Sequence, residues 1–331
     1  MPQHAPVRAV GVRDVAALAG VSTQTVSRVL NGHPHIRPAT RQKVVDAIDA
    51  LGYRMNNAAR ALGTSTSRTL GVVASDAALY GPAEGIAALE AAARTGGRWI
   101  ATAYADAADT GSVESAVRHL LAQGVDGIVL VAPHTRTLDA AAEAAPGVPV
   151  VALHGGAGAE VQSRGAALAV EHLVERGHRR IGEVAGPGDW LEATARSRGV
   201  AGAMRHAELT LAARWRGDWS AAAGYALAAD VADALSNAGA PTALAVANDQ
   251  MALGLMAGLR ARGVDVPGTL SIVGFDDNPD AEFYTPALTT VRVDLAAEAR
   301  RVVAAVVDAD SALPAAAPEL VVRSSTASPP S

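Results

Sequence analysis

The sequence predicts an all-α head joined to an α/β core with parallel sheets. Up to about residue 51, apolar residues recur at helical spacing in short segments separated by Gly and Pro. From Leu70 onward, short apolar runs typical of buried strands alternate with segments of helix length. The run TSTS at 64–67 lies between the two patterns, so we expect a head over 1–63 and a core over 64–331.

Two short helices joined by a turn are predicted over 12–31, VRDVAALAGVSTQTVSRVLN. We expect Asp14 to cap the first helix. The apolar stripe of that helix consists of Val15, Ala16, Leu18 and Ala19. Gly20 ends it, because Gly adopts the left-handed conformation found just past a helix C-terminus, and Ser22 caps the second helix.

The second helix is predicted to have one apolar and one polar face. At about 100° per residue, three aliphatic residues fall on the side that faces a core: Val26, Val29 and Leu30. The other side carries Thr23, Gln24, Ser27, Arg28 and Asn31. Such a helix suits a DNA major groove, where Gln and Arg make bidentate contacts to adenine and guanine edges. The alternative is an ordinary helical hairpin whose polar face is only solvated.

A third helix over 38–51 is predicted to close the head through its apolar stripe. His35 in the preceding turn is a candidate for a phosphate contact, with a solvated side chain as the alternative. The Ala-rich segment over about 56–63 (NNAARALG) is too short to be a stable helix alone. A paired copy on DNA would support it, with Leu62 wedged into the minor groove, and the alternative is a plain linker.

Charge and composition narrow the class of protein. Residues 1–63 carry eight Lys or Arg against three Asp or Glu, whereas the whole chain carries 28 against 33. A basic head on an acidic body favours contact with phosphates by the head alone. The absence of Cys excludes a disulfide framework and a thiolate metal site. Since we find no signal-peptide pattern and no apolar stretch of ~20 residues, we expect a cytoplasmic protein without membrane contact.

The predicted strands of the core are eight apolar runs. They are Leu70–Ala74, Trp99–Ala103, Gly127–Ala132, Pro149–Leu153, Arg180–Ala185, Ala243–Ala247, Leu270–Gly274 and Glu319–Arg323. Helix-length segments between them include 83–94, 113–123, 166–175, 221–235 and 250–262. This alternation predicts parallel sheets with helices on both faces. After the last run the chain is rich in Ala, Pro and Ser, and we expect its end to be disordered.

Polar or helix-breaking pairs follow several of the predicted strands. They are Ser75-Asp76, His154-Gly155, Gly186-Pro187, Asn248-Asp249 and Asp276-Asp277. Because ligands of open α/β sheets bind beyond the carboxyl ends of the strands, the pattern predicts a ligand site there. The carboxylates of Asp276 and Asp277 are expected to point apart, as neighbours do in a strand.

An enzyme is disfavoured. The single Lys, Lys43, lies in the head, and the chain has no nucleophile elbow and no His cluster with metal spacing. The run Gly155–Gly158 lacks the spacing of a dinucleotide-binding motif, so we interpret it as a loop. A sugar-transport receptor would need an export signal and no basic head, and the sequence has the opposite features.

Four runs spread over the chain resemble the LacI family of bacterial transcription repressors. They are DVAALAGVSTQTVSRVLNG at 14–32, GDWSAAAGY at 217–225, VANDQMALG at 246–254 and VGFDDNPDAEFYTPALTTVRVD at 273–294. The resemblance implies a helix-turn-helix head, a hinge helix, and a core of two periplasmic-binding-protein-like parallel-sheet subdomains with a sugar between them. It places the N-terminal subdomain at about 68–160 plus 293–325 and the C-terminal subdomain at about 161–292.

The resemblance also assigns DNA contacts. Thr23, Gln24 and Arg28 match base-contacting positions, and Leu62 matches the minor-groove wedge. Met55 stands where a hinge proline is expected. The full set predicted to bind DNA is Ser22, Thr23, Gln24, Thr25, Ser27, Arg28, Asn31, His35, Asn56, Ala59 and Leu62.

For an effector, Arg196, Asn248 and Asp276 match residues that hold sugar hydroxyls, and Trp219 matches an aromatic wall. An Arg fork and a carboxylate bind vicinal hydroxyls, while a ring covers the apolar C–H face of a sugar. His154, Glu192 and Leu295 stand where a member of the family that this chain resembles has Asp, Ser and Phe. The full predicted effector-binding set is Leu79, Pro82, His154, Glu192, Arg196, Trp219, Asn248, Asp276 and Leu295.

Together these observations predict a repressor of carbohydrate-utilisation genes that a small sugar or glycoside, galactoside-like by preference, releases from a pseudo-palindromic operator. No cofactor and no metal are expected. No Leu-heptad tetramerisation helix follows Arg323, so the resemblance implies a homodimer. The alternatives are a family member that senses another ligand, such as a purine, and a sugar-binding protein without a regulatory role.

Overall fold

A computed structural model describes residues 10–30, 33–53, 66–308, 311 and 313–330. The chain divides into two compact units, one that ends at Ser67 and one that begins at Arg68. Each unit has its own hydrophobic core. Within the described ranges, no helix combines the length and the apolar character needed to cross a membrane.

The first unit is a head of three helices. They are α1 (Val12–Ala19), α2 (Thr23–Leu30) and α3 (Pro38–Leu51). Val15, Val26 and Val44 are fully buried where the helices meet, one from each helix. Gly20 follows α1 with a φ of 65°, the left-handed conformation predicted for it.

Two details of the head differ from the prediction. Helix α1 begins three residues earlier than expected with Gly11 as its N-cap, so Asp14 is not the cap. The Asp14 carboxylate instead accepts a hydrogen bond from the Gly11 N–H (2.8 Å). Leu18 is 56% exposed, because the small head covers a narrower stripe of α1 than predicted. Ser22 does cap α2, since its Oγ accepts from the Thr25 N–H (3.1 Å).

The second unit alternates strands and helices. In chain order they are β1 (Thr69–Ala74), α4 (Tyr80–Thr95), β2 (Trp99–Tyr104), α5 (Thr110–Ala122), β3 (Gly127–Val131), α6 (Thr135–Ala144), β4 (Val150–Ala152), α7 (Ala157–Glu175), β5 (Ile181–Ala185), α8 (Leu191–His206), β6 (Arg214–Arg216), α9 (Ala221–Ala234), β7 (Ala243–Val246), α10 (Asp249–Arg260), β8 (Ser271–Val273), β9 (Thr290–Arg292), α11 (Leu295–Val307) and β10 (Glu319–Val321). All eight predicted strands form, and β6 and β9 are additional.

Two parallel four-stranded sheets organise this unit, with strand orders β2-β1-β3-β4 and β6-β5-β7-β8. Alternate residues of the first sheet face opposite layers. Val72 and Val129 pack against α4 and α11, whereas Val73 and Ile128 pack against α5 and α6. In the second sheet, α7 and α8 cover one face and α9 and α10 the other. The predicted arrangement of helices on both faces of parallel sheets is confirmed.

The structure differs from two expectations for the C-terminal segment: that residues up to 325 belong to the N-terminal subdomain, and that the end of the chain is disordered. Strand β10 pairs antiparallel with β9, and Ser325 is fully buried. The Ser325 Oγ accepts from the Thr289 N–H (2.8 Å) and donates to the Ile272 carbonyl (2.6 Å) of β8. Residues 319–327 therefore lie with the second sheet and not with the first, and they are ordered because β8 and β9 supply hydrogen-bond partners that the segment cannot supply itself.

Replacing Ser325 by Ala is expected to lower the free energy of unfolding of the core by about 1–3 kcal/mol, because the Thr289 N–H and the Ile272 carbonyl lose a buried partner. Denaturant unfolding of the full chain measures the change. Ser328→Ala is the matched control, since Ser328 is exposed on the same segment, and it should unfold like the parent. Equal stability of both variants would show that the segment does not depend on this contact.

Candidate functional site

Helix α2 presents an exposed polar face. Ser22, Thr23, Gln24, Ser27 and Arg28 are exposed there, while Thr25 is half-buried with its Oγ1 2.9 Å from the Ser22 Oγ. The opposite side of α2 buries Val26 and Val29 against the other two helices, which fixes the orientation of the polar face. A helix mounted in this way can enter a major groove and present Gln and Arg to base edges.

The remaining predicted DNA contacts are less uniform. His35 is exposed in the turn before α3, with its ring centroid 5.8 Å from that of His33. An exposed imidazole in this turn is able to reach a phosphate. Four further predictions fall outside the described residues: Asn31, Asn56, Ala59 and Leu62.

A cleft in the second unit encloses about 470 Å³ of space that atoms do not fill, part of it open to solvent. Its walls come from segments that follow the carboxyl ends of strands in both sheets, as expected for open α/β sheets. Of the residues predicted to bind an effector, those that line it are Leu79, Pro82, His154, Glu192, Arg196, Trp219, Asn248 and Asp276. Leu295 is the exception. It is the half-buried first residue of α11 and is not among the residues that line the cleft.

Arg196 on α8 is the polar centre of the cleft. Its Nε donates to Gln162 Oε1 (2.8 Å), its Nη2 donates to Asp276 Oδ1 (2.8 Å), and its Nη1 donates to the Ala247 carbonyl. The guanidinium carbon also lies 3.8 Å from the centre of the Phe275 ring. These contacts fix the guanidinium before any ligand arrives, so a ligand meets a rigid, charged donor.

The loop after β8 turns Asp276 and Asp277 in opposite directions, as predicted, although positive φ values of 108° and 51° and not a strand pleat separate them. Asp276 bonds Arg196 at the cleft, and Asp277 pairs with Arg292 (2.6 Å) and Arg323 (2.7 Å) on the other side. Among the described residues, Asp276 Oδ2 has no hydrogen-bond donor. It is therefore available to a ligand hydroxyl.

Asp249 holds this loop from behind. Its carboxylate accepts from the Thr290 Oγ1 (2.6 Å) and from the Asn278 N–H (2.8 Å). Burial, together with the nearby charge of Asp276, raises the pKa of Asp249 to about 8. The residue belongs to the pair Asn248-Asp249 that the strand-end pattern singled out, but only Asn248 lines the cleft.

Two buried polar atoms in the cleft wall have no partner in the part of the chain that the structure describes, Glu192 Oε2 and Trp219 Nε1. Leaving such an atom unpaired costs about 1–3 kcal/mol, so both are candidates for hydrogen bonds to a ligand. Burial raises the pKa of Glu192 to about 7, and Arg196 opposes the rise.

An aromatic wall joins the two sheets beside the cleft. The Trp190 and Trp219 rings pack edge to face with centroids 5.5 Å apart, and His134 lies 5.5 Å from Trp190 on the other side. The Thr135 N–H donates to the Asp189 carbonyl (3.1 Å), which links loops that follow β3 and β5. Trp190 and His134 were not predicted from the sequence, although Trp190 comes soon after the helix-breaking pair Gly186-Pro187 that marks a strand end.

Five further lining residues were not predicted: Gly81, Val131, Ala132, Leu153 and Gln250. Four of them are Gly or aliphatic residues. Their side chains have no polar group that would indicate ligand binding in the sequence. Gln250 follows the pair Asn248-Asp249, and its Oε1 accepts a long hydrogen bond from the Tyr80 N–H (3.4 Å). It thereby links the segments that follow β7 and β1.

The raised pKa of Glu192 predicts a pH effect on stability. Between about pH 4.5 and pH 7 the unfolded carboxyl is ionised while the folded one keeps its proton, so this group makes stability fall as pH rises through that window. We expect Glu192→Gln to remove the loss, which amounts to on the order of 3 kcal/mol above pH 7. Denaturant unfolding of parent and variant at pH 5, 6, 7 and 8 measures it, and a difference that does not grow with pH would refute the assignment.

Comparison with known proteins identifies the family. Residues 12–56 match the family of bacterial regulatory proteins called lacI, and residues 170–326 match a periplasmic binding protein-like domain. The lactose operon repressor of Escherichia coli (strain K12) is 36% identical over 295 residues, which cover 87% of this chain and 81% of that protein. The chain belongs to the LacI family.

Further comparisons agree with this membership. The LacI-family chain is 32% identical over 294 residues to the transcriptional repressor PurR of Vibrio cholerae serotype O1 (strain M66-2), with 85% of each covered. The crystal structure of the Lac repressor dimer bound to operator and the anti-inducer ONPF superposes with a TM-score of 0.82 at 32% identity, covering 97% of this chain and all of that one. The predicted helix-turn-helix head and periplasmic-binding-protein-like subdomains are confirmed. This LacI-family protein is a transcriptional repressor, and these relatives are DNA-binding regulators and not enzymes.

Proposed function

We propose that this repressor controls carbohydrate-utilisation genes and that a small sugar or glycoside, galactoside-like by preference, binds in the cleft and releases it from its operator. The observation that carries the proposal is the chemistry of the cleft wall. The Arg196–Asp276 pair, Glu192 and the rings of Trp190 and Trp219 line one space, and among the described residues Glu192 Oε2 and Trp219 Nε1 have no hydrogen-bond partner.

A sugar ring matches this set of groups. Its hydroxyls both donate and accept, so they are able to donate to Asp276 Oδ2, to accept from Trp219 Nε1, and to bond Glu192 Oε2 in either protonation state. Its C–H face is apolar and suits the rings of Trp190 and Trp219. Within the cleft, Asn248 has a different role, because its Oδ1 accepts from the Met251 N–H and its Nδ2 donates to the Trp219 carbonyl. Asn248 then positions Trp219.

For DNA, we propose that a homodimer places two copies of α2 in successive major grooves of a pseudo-palindromic site. Thr23, Gln24 and Arg28 would contact bases, and the neighbouring Ser22, Thr25 and Ser27 would contact phosphates or bases at the edge of the helix. The contacts proposed for Asn31, His35, Asn56, Ala59 and Leu62 rest on the sequence resemblance.

Effector and DNA would be coupled through the two subdomains, because the cleft is lined by both. Binding of a ligand that prefers one mutual orientation of the sheets shifts the protein toward that orientation. A tenfold loss of operator affinity needs a coupling free energy of only about 1.4 kcal/mol. A few hydrogen bonds that form in one orientation alone would supply it.

A second candidate effector is a purine, since a planar base would also stack on Trp219 and Trp190 and bond the Trp219 Nε1. The two ligand classes differ in what they offer Glu192 and Asp276. A sugar offers several hydroxyl donors on adjacent carbons, whereas a purine offers one or two ring or amino N–H groups. The Arg196–Asp276 pair suits adjacent hydroxyls, so we favour the sugar.

The test is selection of random duplex DNA by the purified protein at physiological salt, repeated with methyl galactoside, methyl glucoside, methyl xyloside, the free sugars, hypoxanthine and guanine. Enrichment of a two-fold symmetric site that one sugar abolishes would support both parts of the proposal. Loss of enrichment with a purine alone would replace the sugar by the purine. Enrichment that no ligand changes would refute the effector, and no enriched site would refute sequence-specific binding.

A further inference from the structure

A chain of buried hydrogen bonds leads from Arg196 to His154. Gln162 is fully buried on α7 between them. Its Oε1 accepts from Arg196 Nε (2.8 Å), and its Nε2 lies 3.2 Å from His154 Nδ1. A guanidinium only donates, so the oxygen of the Gln162 amide must face Arg196 and the nitrogen must face His154. His154 Nδ1 is therefore an acceptor.

The other imidazole nitrogen then carries the proton. Burial, together with the charges of Arg196 and Arg301, lowers the pKa of His154 to about 4 against the opposing charge of Glu298. The ring is thus neutral at physiological pH, and a neutral imidazole with an accepting Nδ1 has its hydrogen on Nε2. In the described part of the chain no hydrogen bond joins this Nε2 to another group, and His154 lines both the cleft and a smaller cavity beside Glu298.

The turn that holds His154 is itself locked by α11. His154 has a φ of 60°, and its N–H donates to Glu298 Oε1 (2.9 Å). Arg301 binds both oxygens of Glu298 at 2.7 Å and also donates to the Gly155 carbonyl (3.1 Å). A Cβ on Gly158 would lie 2.2 Å from Glu298 Oε1, so a larger residue there would displace this carboxylate. Glu298 and Arg301 together fix where the imidazole lies.

We propose that His154 makes this end of the cleft a hydrogen-bond donor, so that the effector presents an oxygen acceptor there, such as a ring or glycosidic ether oxygen or a carbonyl, and that Glu298 is its positioning residue. The proposal rests on the cleft being the effector site. It sets a hydrogen-bond donor at His154 beside the acceptor Asp276 Oδ2 in the same cleft. A ligand whose group at that end only donates, such as an ammonium, is excluded.

The first arm of the test needs no ligand. Long-range ¹H–¹⁵N correlation spectra of the full chain with labelled His distinguish a protonated from an unprotonated ring nitrogen, and His154→Gln assigns the signal among the nine histidines. We expect a protonated Nε2 and an unprotonated Nδ1 that do not titrate between pH 5.5 and pH 8. Gln162→Glu replaces the donor beside Nδ1 by an acceptor and should move the proton to Nδ1. A parent spectrum with a protonated Nδ1, or one that titrates near pH 6.5, would overturn the proposal.

The second arm uses the methyl glycoside panel and calorimetry. A Gln side chain keeps an N–H near the position of His154 Nε2, whereas Glu offers only acceptors when ionised. We expect His154→Gln to bind within about threefold of the parent and His154→Glu to lose about 10- to 100-fold in affinity. Glu298→Gln keeps an acceptor for the His154 N–H but loses the charge that holds Arg301, and should weaken binding while the Nε2 proton stays in place.

The two arms separate the two proposals. If the parent binds none of the glycosides, the sugar assignment fails, but the spectrum still decides whether His154 is a donor. If a glycoside binds and His154→Glu binds it as tightly as the parent does, the sugar assignment stands and the donor role is wrong. If His154→Gln and His154→Glu lose affinity equally, the role of His154 is steric and the proposal also fails.

Discussion

Replacing Arg196 by Ala is expected to remove the response to effector and to destabilise the core. The guanidinium lies buried between Gln162, Asp276 and the Ala247 carbonyl, so the variant leaves a carboxylate without its counter-charge at the cleft. Removing one partner of such a pair costs about 3–5 kcal/mol. We expect effector affinity to fall by at least about 100-fold, because the ligand also loses a fixed donor. Calorimetric titration and thermal unfolding of the full chain measure the two effects.

Arg198→Ala is the matched control for this variant. Arg198 lies two residues along the same helix, but its side chain is 53% exposed and pairs with an exposed Glu160. Exposed pairs contribute about 0–1 kcal/mol, so this variant should bind effector and unfold like the parent. If Arg196→Ala also responds to effector like the parent, the cleft is not the effector site.

In the head, Arg28→Ala and Gln24→Ala are each expected to weaken binding to the selected operator by about 10- to 100-fold. Both side chains project from the exposed face of α2, and each bidentate base contact discriminates against the wrong base by about 1–3 kcal/mol. Specificity should relax at one base position for each variant. Fluorescence anisotropy on the operator and on a series of single-base variants measures both affinity and specificity.

Gln42→Ala provides the matched control in the same small unit. Gln42 is exposed on α3 and donates to Asp46 (2.8 Å), so it has the chemistry of Gln24 at a different place on the head. It should leave affinity and base preference unchanged. The assignment of α2 as the base-contacting helix is wrong if Gln42→Ala relaxes specificity and Gln24→Ala does not.

Most elements of the fold follow from local patterns that can be read directly from the sequence. Apolar residues at helical spacing, Gly20 after α1 and the Ser22 cap placed the first two helices to within three residues. Runs of Val, Leu and Ile placed eight strands. Strands β6 and β9 were not predicted. A segment of three residues such as Arg214–Arg216 is too short to show a periodicity, and it forms a strand only where a neighbouring strand offers its edge.

The cleft was predictable in outline because it lies where parallel strands end. The pattern of polar residues after the strands marked Asn248 and Asp276, and the family resemblance added Arg196 and Trp219. What each residue does there was not predictable. Asp249, Asp277 and Gln162 are polar residues of the same kinds, and only the packing assigns them to the support of the cleft and not to its lining.

By itself, then, the sequence determined the order and type of most elements, the basic head with its polar helix face, and the edge of the sheets where we propose that a ligand binds. These depend on spacing within a few residues of the chain. The tertiary structure alone decided that residues 319–327 lie against β8 and β9, that among the described residues Glu192 and Trp219 have polar atoms without partners at the cleft, and that the Gln162 amide nitrogen faces His154 Nδ1. Each of these depends on which distant groups meet in a buried place, where hydrogen-bond partners must match, and local spacing does not encode that.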